Sequence, residues 1–154
     1  MVLSGLLLNS CGSVPSFKEG LGASDKNISF DVQVIDKPSL VTSVSGVLYI
    51  YGMDSSCKPI NRGGIEFKGG NGPTKFGLVP GVHRFSIIQK DFSLLTTSIE
   101  TQNLDFQIEV QAGKNYAISY VVNNKLAGKK IIEMDKTTGA SKEVFGTPWK
   151  GCER

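Results

Sequence analysis

Two matched stretches in the middle of the chain constrain its fold more than any other feature. In each, a turn glycine stands just ahead of a segment in which apolar and polar residues alternate: Gly81 before residues 82–87, and Gly113 before residues 114–120. Successive side chains of a β-strand point to opposite faces, so such a segment buries one face and leaves the other in water. A glycine turn followed by an alternating strand is typical of antiparallel hairpins.

The same alternation occurs in residues 28–35 and 104–111. No window repeats its apolar residues at the helical period, so we expect little helix. The pattern predicts an all-β protein, an antiparallel β-sandwich of seven or eight strands. The side chains predicted to face the core are Ile28, Phe30, Val32, Val34, Leu104, Phe106, Ile108, Val110, Tyr116, Ile118, Tyr120 and Val122.

Residues 47–51 are almost continuously apolar, as in a central strand that is covered on both faces. Gly46, just before them, predicts a bulge or a bend between sheets. Near the C-terminus the apolar content thins, and we expect three side chains to cover an open end of the core: Val144, Phe145 and Trp149.

The N-terminus resembles the lipobox of bacterial lipoproteins. An apolar run at residues 2–8 ends in Leu8-Asn9-Ser10-Cys11, although Asn9 is larger than usual and no basic residue precedes the run. The resemblance implies that Cys11 is lipidated (a palmitate-bearing anchor) and becomes the mature N-terminus. Gly12, where an aspartate would signal inner-membrane retention, favours the periplasmic face of the outer membrane. The alternative interpretation of the run is a buried first strand.

This assignment divides the chain into three parts. Residues 1–10 are the remnant of a lipoprotein signal, residues 11–27 a flexible tether rich in glycine and serine, and residues 28–154 the sandwich with its C-terminal tail.

The chain has three cysteines. If Cys11 carries a lipid, Cys57 and Cys152 remain, and they can form a disulfide in an oxidising periplasm. Two unpaired thiols are the alternative. With one histidine and no Cys-x-x-Cys motif, the sequence predicts no metal site and no cofactor.

The loop from Gly63 to Pro73 is rich in glycine but lacks the Gly-Lys-Ser/Thr ending of a phosphate-binding loop, so it predicts a cluster of β-turns. Loops on a rigid scaffold commonly carry binding. We therefore single out one candidate binding rim, formed by Tyr49, Tyr51, Gly69, Asn71 and His83.

Neither catalysis nor nucleic-acid binding is expected. His83 lies in phase with the core residues of its strand, which favours a hydrogen-bonded structural role over that of a ligand or base, and no Gly-x-Ser-x-Gly motif occurs. An enzyme would need titratable groups brought together in the fold, for instance His83 against Asp91 or Glu100. The net charge is only +3, with scattered lysines, unlike a nucleic-acid-binding surface.

The phrases Pro80-Gly81-Val82-His83 and Gly113-Lys114-Asn115-Tyr116 resemble the strand starts of small bacterial lipoprotein domains of the DUF2846-like and PEGA-like kind. The resemblance covers roughly residues 44–122. It implies an immunoglobulin- or transthyretin-like sandwich in the cell envelope, and it implies no reaction.

Two functions remain open. The leading hypothesis is a membrane-anchored, non-catalytic interaction module that binds an envelope protein or cell-wall partner by strand edges or loops. The alternative is a small-ligand or glycan binder that uses the loop from Gly63 to Pro73 together with Tyr49, Tyr51 or Tyr120.

Overall fold

A computed structural model describes residues 14–19, 25–36, 41–93, 100–124 and 126–149. These residues contain no helix and confirm the predicted all-β sandwich. They form nine strands, one or two more than the seven or eight expected. The strands are β1 Ile28–Asp36, β2 Val41–Met53, β3 Pro59–Lys68, β4 Thr74–Phe76, β5 Gly81–Ser93, β6 Glu100–Val110, β7 Lys114–Asn123, β8 Leu126–Asp135 and β9 Ser141–Val144.

The strands make two sheets, a four-stranded one in the order β3-β2-β5-β6 and a five-stranded one in the order β4-β1-β7-β8-β9. Among the pairings between these nine strands, all are antiparallel except that of β1 with β7, in which Ile28 lies opposite Tyr116 and Val32 opposite Tyr120. A parallel pair needs a long crossover. Here the four-stranded sheet is built by the chain between these two strands.

The core between the sheets follows the predicted alternation closely. Of the expected inward side chains, Val34 is the clear exception, with 37% of its surface exposed. The β1–β7 register shifts just after Val34, two residues before β1 ends at Asp36. The most deeply buried large side chains are Phe30, Leu48, Ile50, Phe85, Ile87, Phe106, Ile118 and Tyr120.

Strand β2 is covered on both faces, as its apolar run predicts. Leu48 and Ile50 lie in the core, and Val47 is only 5% exposed on the opposite face. The bulge or bend predicted at Gly46 is wrong, since Gly46 pairs regularly with Phe67 and with Gln89. Glycine is needed there because an added Cβ would lie 2.6 Å from Phe67 Cζ and would meet the carbonyl oxygen of Ile88.

The N-terminal segment, residues 14–19, runs along the edge of β3. Gly64 N–H donates to the Pro15 carbonyl (2.8 Å), and Phe17 N–H donates to the Gly64 carbonyl (3.0 Å). The Phe17 ring packs edge-on against Phe76 of β4, with centroids 5.4 Å apart. Part of the predicted tether is therefore in contact with the sandwich, where it pairs with one edge strand and packs beside another.

The C-terminal segment, residues 145–149, covers the opposite side. Gln107 N–H donates to Thr147 O (2.8 Å), and Thr147 N–H donates to Gln107 O (3.1 Å), so the segment pairs with the edge of β6. Val144 packs against the core as expected. Phe145 does not, because its side chain points outward and is 86% exposed.

Candidate functional site

The face of the four-stranded sheet that is turned away from the five-stranded sheet, here called the outer face, carries two of the predicted rim residues. Tyr49 and Tyr51 of β2 both point to this side, since Leu48 and Ile50 point to the core. Strand register builds the outer face in four rows: Lys68, Ser45 and Lys90; Glu66, Val47, Ile88 and Asn103; Gly64, Tyr49, Ser86 and Asp105; and Tyr51, Arg84 and Gln107.

Trp149 of the C-terminal segment is fixed on the outer face. Its Nε1–H donates to the carbonyl oxygens of Phe106 (3.0 Å) and Phe85 (3.2 Å). Its ring meets Tyr51 edge-on, and the Arg84 guanidinium carbon lies 5.5 Å from the indole centroid. Arg84 is 4% exposed. This cation–π contact in a shielded setting joins the end of the described chain to β2 and β5.

The N-terminal segment reaches the same face from the other side. A Cβ added at Gly64 would lie 2.6 Å from Val47 Cγ1, 3.1 Å from Val14 Cγ1 and 3.3 Å from Tyr49 Cδ1. Val14 therefore lies beside Val47 and Tyr49 on the outer face. Both ends of the described chain converge on this surface, which sequence patterning missed because each terminal segment has few apolar residues.

The hydroxyl of Tyr51 stays protonated at physiological pH. Burial raises the pKa of Tyr51 above its ordinary value, and the neighbouring Tyr49 and Asp105 raise it further. The Tyr51 side chain on the outer face is therefore neutral.

A second concave surface, here called the lateral groove, lies between β6 and the β8–β9 pair. It has a volume of about 310 Å³. Its apolar rim is formed by Val82, which is 43% exposed, and by Phe145. The groove is also lined by Ile108, Tyr116, Glu133 and Val144.

Glu133 is the buried acid of the lateral groove, 8% exposed. Its carboxylate lies 3.4 Å from Lys142 Nζ and 3.4 Å from the Tyr116 hydroxyl, with Lys114 Nζ at 4.0 Å. Burial is the largest cause that raises the pKa of Tyr116, so this phenol also stays protonated. The groove thus has a polar floor, held by hydrogen bonds and ion pairs, under an apolar rim.

Lys114 is bound more closely by a second acid. Its Nζ lies 2.6 Å from Asp135 Oδ2. The hydrogen bond from Lys114, helped by the backbone N–H groups of Thr138 and Thr137, lowers the pKa of Asp135 well below its usual range.

The remaining predicted rim residues are not brought together with the tyrosines. His83 lies on the core face of β5, 4% exposed, with Nε2 2.8 Å from the Val79 carbonyl oxygen. Burial lowers the pKa of His83, which favours the neutral ring with Nε2 as donor. Gly69 and Asn71 lie in the turn after β3, at the opposite end of the sandwich.

The glycine-rich loop is shorter than predicted, since residues 63–68 belong to β3 and only residues 69–73 form the connection to β4. Tyr120, proposed as part of a ligand site with this loop, is fully buried in the core. The described residues of the alternative ligand site therefore share no common cleft.

A buried polar chain that the sequence did not reveal fills one end of the core. The Tyr120 hydroxyl donates to Gln89 Oε1 (2.6 Å), and Gln89 Nε2 donates to Asp91 Oδ1 (2.7 Å). Burial, with a contribution from Asp91, raises the pKa of Tyr120 to about 12. His83 and Asp91 share the core face of β5 but lie eight residues apart, which along a strand is about 26 Å. The fold does not bring this hypothetical catalytic pair together.

Cys57 lies in the turn between β2 and β3 with a φ of 63° and is disulfide-bonded. Cys11 and Cys152 both lie outside the described residues, so the predicted lipidation of Cys11 and the predicted pairing of Cys57 with Cys152 stay predictions.

Within the described ranges, no group of three or more histidine, cysteine or acidic side chains is arranged to hold a metal ion. The same part of the chain offers no helix that is long and apolar enough to cross a membrane. Comparison with protein-family models, with curated proteins and with solved structures found no match to this chain, so its function has to be inferred from these surfaces.

Proposed function

We propose that the protein is a non-catalytic interaction module of the bacterial cell envelope, anchored through a lipid on Cys11 at the periplasmic face of the outer membrane. Its partner is an envelope protein, and the contact is made at the lateral groove.

The observation that carries this proposal is the position of Phe145. The backbone on both sides of it is held in place, by β9 before it and by the Thr147–Gln107 pair and Trp149 after it. Yet its ring is 86% exposed and contributes nothing to the protein's own core. Buried interface anchors are most often large aromatic or arginine side chains, and Phe145, held out into water next to a groove, is a candidate for one.

The groove beside Phe145 has the chemistry of a protein interface. Val82 adds a second exposed apolar side chain, and the floor offers the Glu133 carboxylate and the Tyr116 hydroxyl. Protein interfaces combine an apolar, aromatic-rich centre with a few satisfied polar groups. A loop that inserts one apolar side chain and one hydrogen-bond donor fits this arrangement.

The disulfide at Cys57 supports export, because disulfides persist in oxidising compartments such as the periplasm and are rare in the cytosol. The lipobox-like sequence that ends in Cys11 supports the anchor.

The test is site-specific photocrosslinking in intact cells. A photoreactive residue in place of Phe145 should give a discrete adduct with an envelope protein, and Val82→Ser should weaken that adduct. The matched control places the same residue at Leu126, which is 77% exposed but lies at the far end of the five-stranded sheet. Equal adducts at both positions, or none at Phe145, would argue against the groove as the contact site.

A further inference from the structure

The two ends of the described chain determine how the domain is oriented if it is anchored at Cys11. Only residues 12 and 13 lie between Cys11 and Val14, and an extended chain spans at most about 3.3–3.6 Å per residue. Val14 can therefore be no more than about 10 Å from the anchored residue. Beyond it, Pro15 and Phe17 are hydrogen-bonded to Gly64 of β3.

The described N-terminal segment begins on the outer face, where Val14 lies next to Val47 and Tyr49. A lipid on Cys11 would thus hold this corner of the outer face at the level of the lipid head groups. We propose that the outer face of the four-stranded sheet lies against the bilayer surface, held there by this short connection. The proposal rests on the proposed lipid anchor.

Several side chains of the outer face suit that environment, although the exposed acids Glu66 and Asp105 also lie on it. Tyrosine and tryptophan are enriched at membrane–water interfaces, where an apolar ring with one polar group is favoured. Tyr49, Tyr51 and Trp149 supply three such rings, all half-buried, and Ile88 lies beside Val47. At one end of the face, the exposed Lys68 and Lys90 flank Ser45, where they can reach lipid phosphates.

The opposite outer surface of the molecule lacks this composition. The described outward positions of β1 and β7 include Ser29, Asp31, Ala117 and Ser119, and Lys130 lies opposite Ser119 on β8. No tyrosine or tryptophan occupies a described position on that surface. The lateral groove lies at the β6 edge between the two surfaces, where Gln107 belongs both to its lining and to the outer face.

The sole tryptophan of the chain, Trp149, provides the measurement. Purified protein that carries its lipid is placed in vesicles of phosphatidylethanolamine and phosphatidylglycerol with bromines near the glycerol end of the acyl chains. We expect strong quenching of the Trp149 fluorescence. Inserting a Gly/Ser spacer of about twelve residues between Ser13 and Val14, which adds a reach of up to about 40 Å, should abolish most of that quenching.

A second readout needs no variant. On the same vesicles, amine-reactive labelling should slow at Lys68 and Lys90 relative to the detergent-solubilised protein, and should stay unchanged at Lys130. Absence of quenching with the natural connection, or equal labelling of all three lysines, would overturn the orientation. Quenching that survives the spacer would overturn the role of the short connection in holding the face there.

The mass of the N-terminal peptide separates this inference from the proposed function. If Cys11 carries no lipid, the anchored function fails and the orientation fails with it. If Cys11 is lipidated but Trp149 is not quenched and Lys68 stays reactive, the anchor stands and the orientation alone is wrong.

Discussion

Trp149 meets Tyr51 edge-on, with ring centroids 5.1 Å apart and ring planes inclined at 68°. This contact joins the last described residue of the chain to a central strand of the four-stranded sheet. Through it the C-terminal segment becomes part of the fold, but Trp149 packs on the outer face and not over an open end of the core as the sequence predicts.

Replacing Trp149 should therefore destabilise the domain. Trp149→Phe removes the donor to the Phe85 and Phe106 carbonyls and should lower the free energy of unfolding by about 1 kcal/mol. Trp149→Ala also removes the ring contacts and should cost about 3 kcal/mol. Urea denaturation followed by circular dichroism measures both. In the same segment, Phe145→Ala should change stability by less than about 0.5 kcal/mol, because that ring is exposed.

The lack of space for a side chain at Gly46 predicts a second loss of stability. An added methyl group would press on Phe67 and on the Ile88 carbonyl, so Gly46→Ala should lower the free energy of unfolding by about 2 kcal/mol. The control is Gly72→Ala, because an added Cβ there has no neighbour within 4 Å and φ is not in the left-handed region. Equal thermal midpoints for the two variants would contradict the close approach at Gly46.

The buried Tyr120–Gln89 hydrogen bond predicts that removing its donor lowers the stability of the protein. Tyr120→Phe keeps the ring but leaves Gln89 Oε1 buried without its donor, which should cost about 1–3 kcal/mol. If the loss comes from the unsatisfied oxygen, Gln89→Leu in the Tyr120→Phe background should cost less than it does alone. Additive losses in the double variant would show that the two groups are not coupled.

The same tyrosine predicts a loss of stability at alkaline pH. An unfolded tyrosine loses its proton near pH 10, whereas the pKa of Tyr120 in the folded protein is about 12. Above pH 10 the unfolded state binds fewer protons, so stability is fully present below pH 10 and falls up to about pH 12. The contribution of Tyr120 to the change of unfolding free energy with pH cannot exceed about 1.4 kcal/mol per pH unit.

Urea midpoints at pH 8, 10 and 11.5, together with phenolate absorbance, check that dependence. Burial also raises the pKa of Tyr51 and of Tyr116, so wild-type protein alone does not isolate the contribution. Tyr120→Phe should show a shallower decline than wild type, and identical slopes would contradict the assignment.

The disulfide of Cys57 should have Cys152 as its partner. Trp149, three residues before Cys152, is held against Tyr51, which lies at the end of β2 that leads into the Cys57 turn. Peptide mapping without reductant should recover a Cys57–Cys152 crosslink, and Cys57→Ser and Cys152→Ser should each lower stability by roughly 3–5 kcal/mol on the loop-entropy account. Cys11→Ala should leave the crosslink intact. A crosslink between Cys57 and Cys11 would contradict both this pairing and the lipid anchor.

Much of the fold follows from the order of residues along the chain. Alternation at Ile28, Phe30 and Val32, and again at Phe106, Ile108 and Val110, correctly predicts which side chains enter the core. This prediction works because successive side chains of a strand point to opposite faces, so the direction of each one follows from its position relative to its sequence neighbours. The sequence also predicts the turn at Gly113 correctly, because its φ of 76° is a conformation that favours glycine.

The tertiary structure alone decided what depends on distant partners. The pairing of Ile28 with Tyr116 in parallel, the cover that Val14 and Trp149 give the outer face, and the Tyr120–Gln89–Asp91 chain all join segments far apart in sequence. A terminal segment pairs with an edge strand through its backbone N–H and C=O groups, which nearly every residue type has. The pattern of apolar and polar residues therefore does not predict this pairing. The residues of the predicted rim do not lie together either. Tyr49 and Tyr51 lie on the outer face, His83 in the core and Asn71 at the far end of the sandwich.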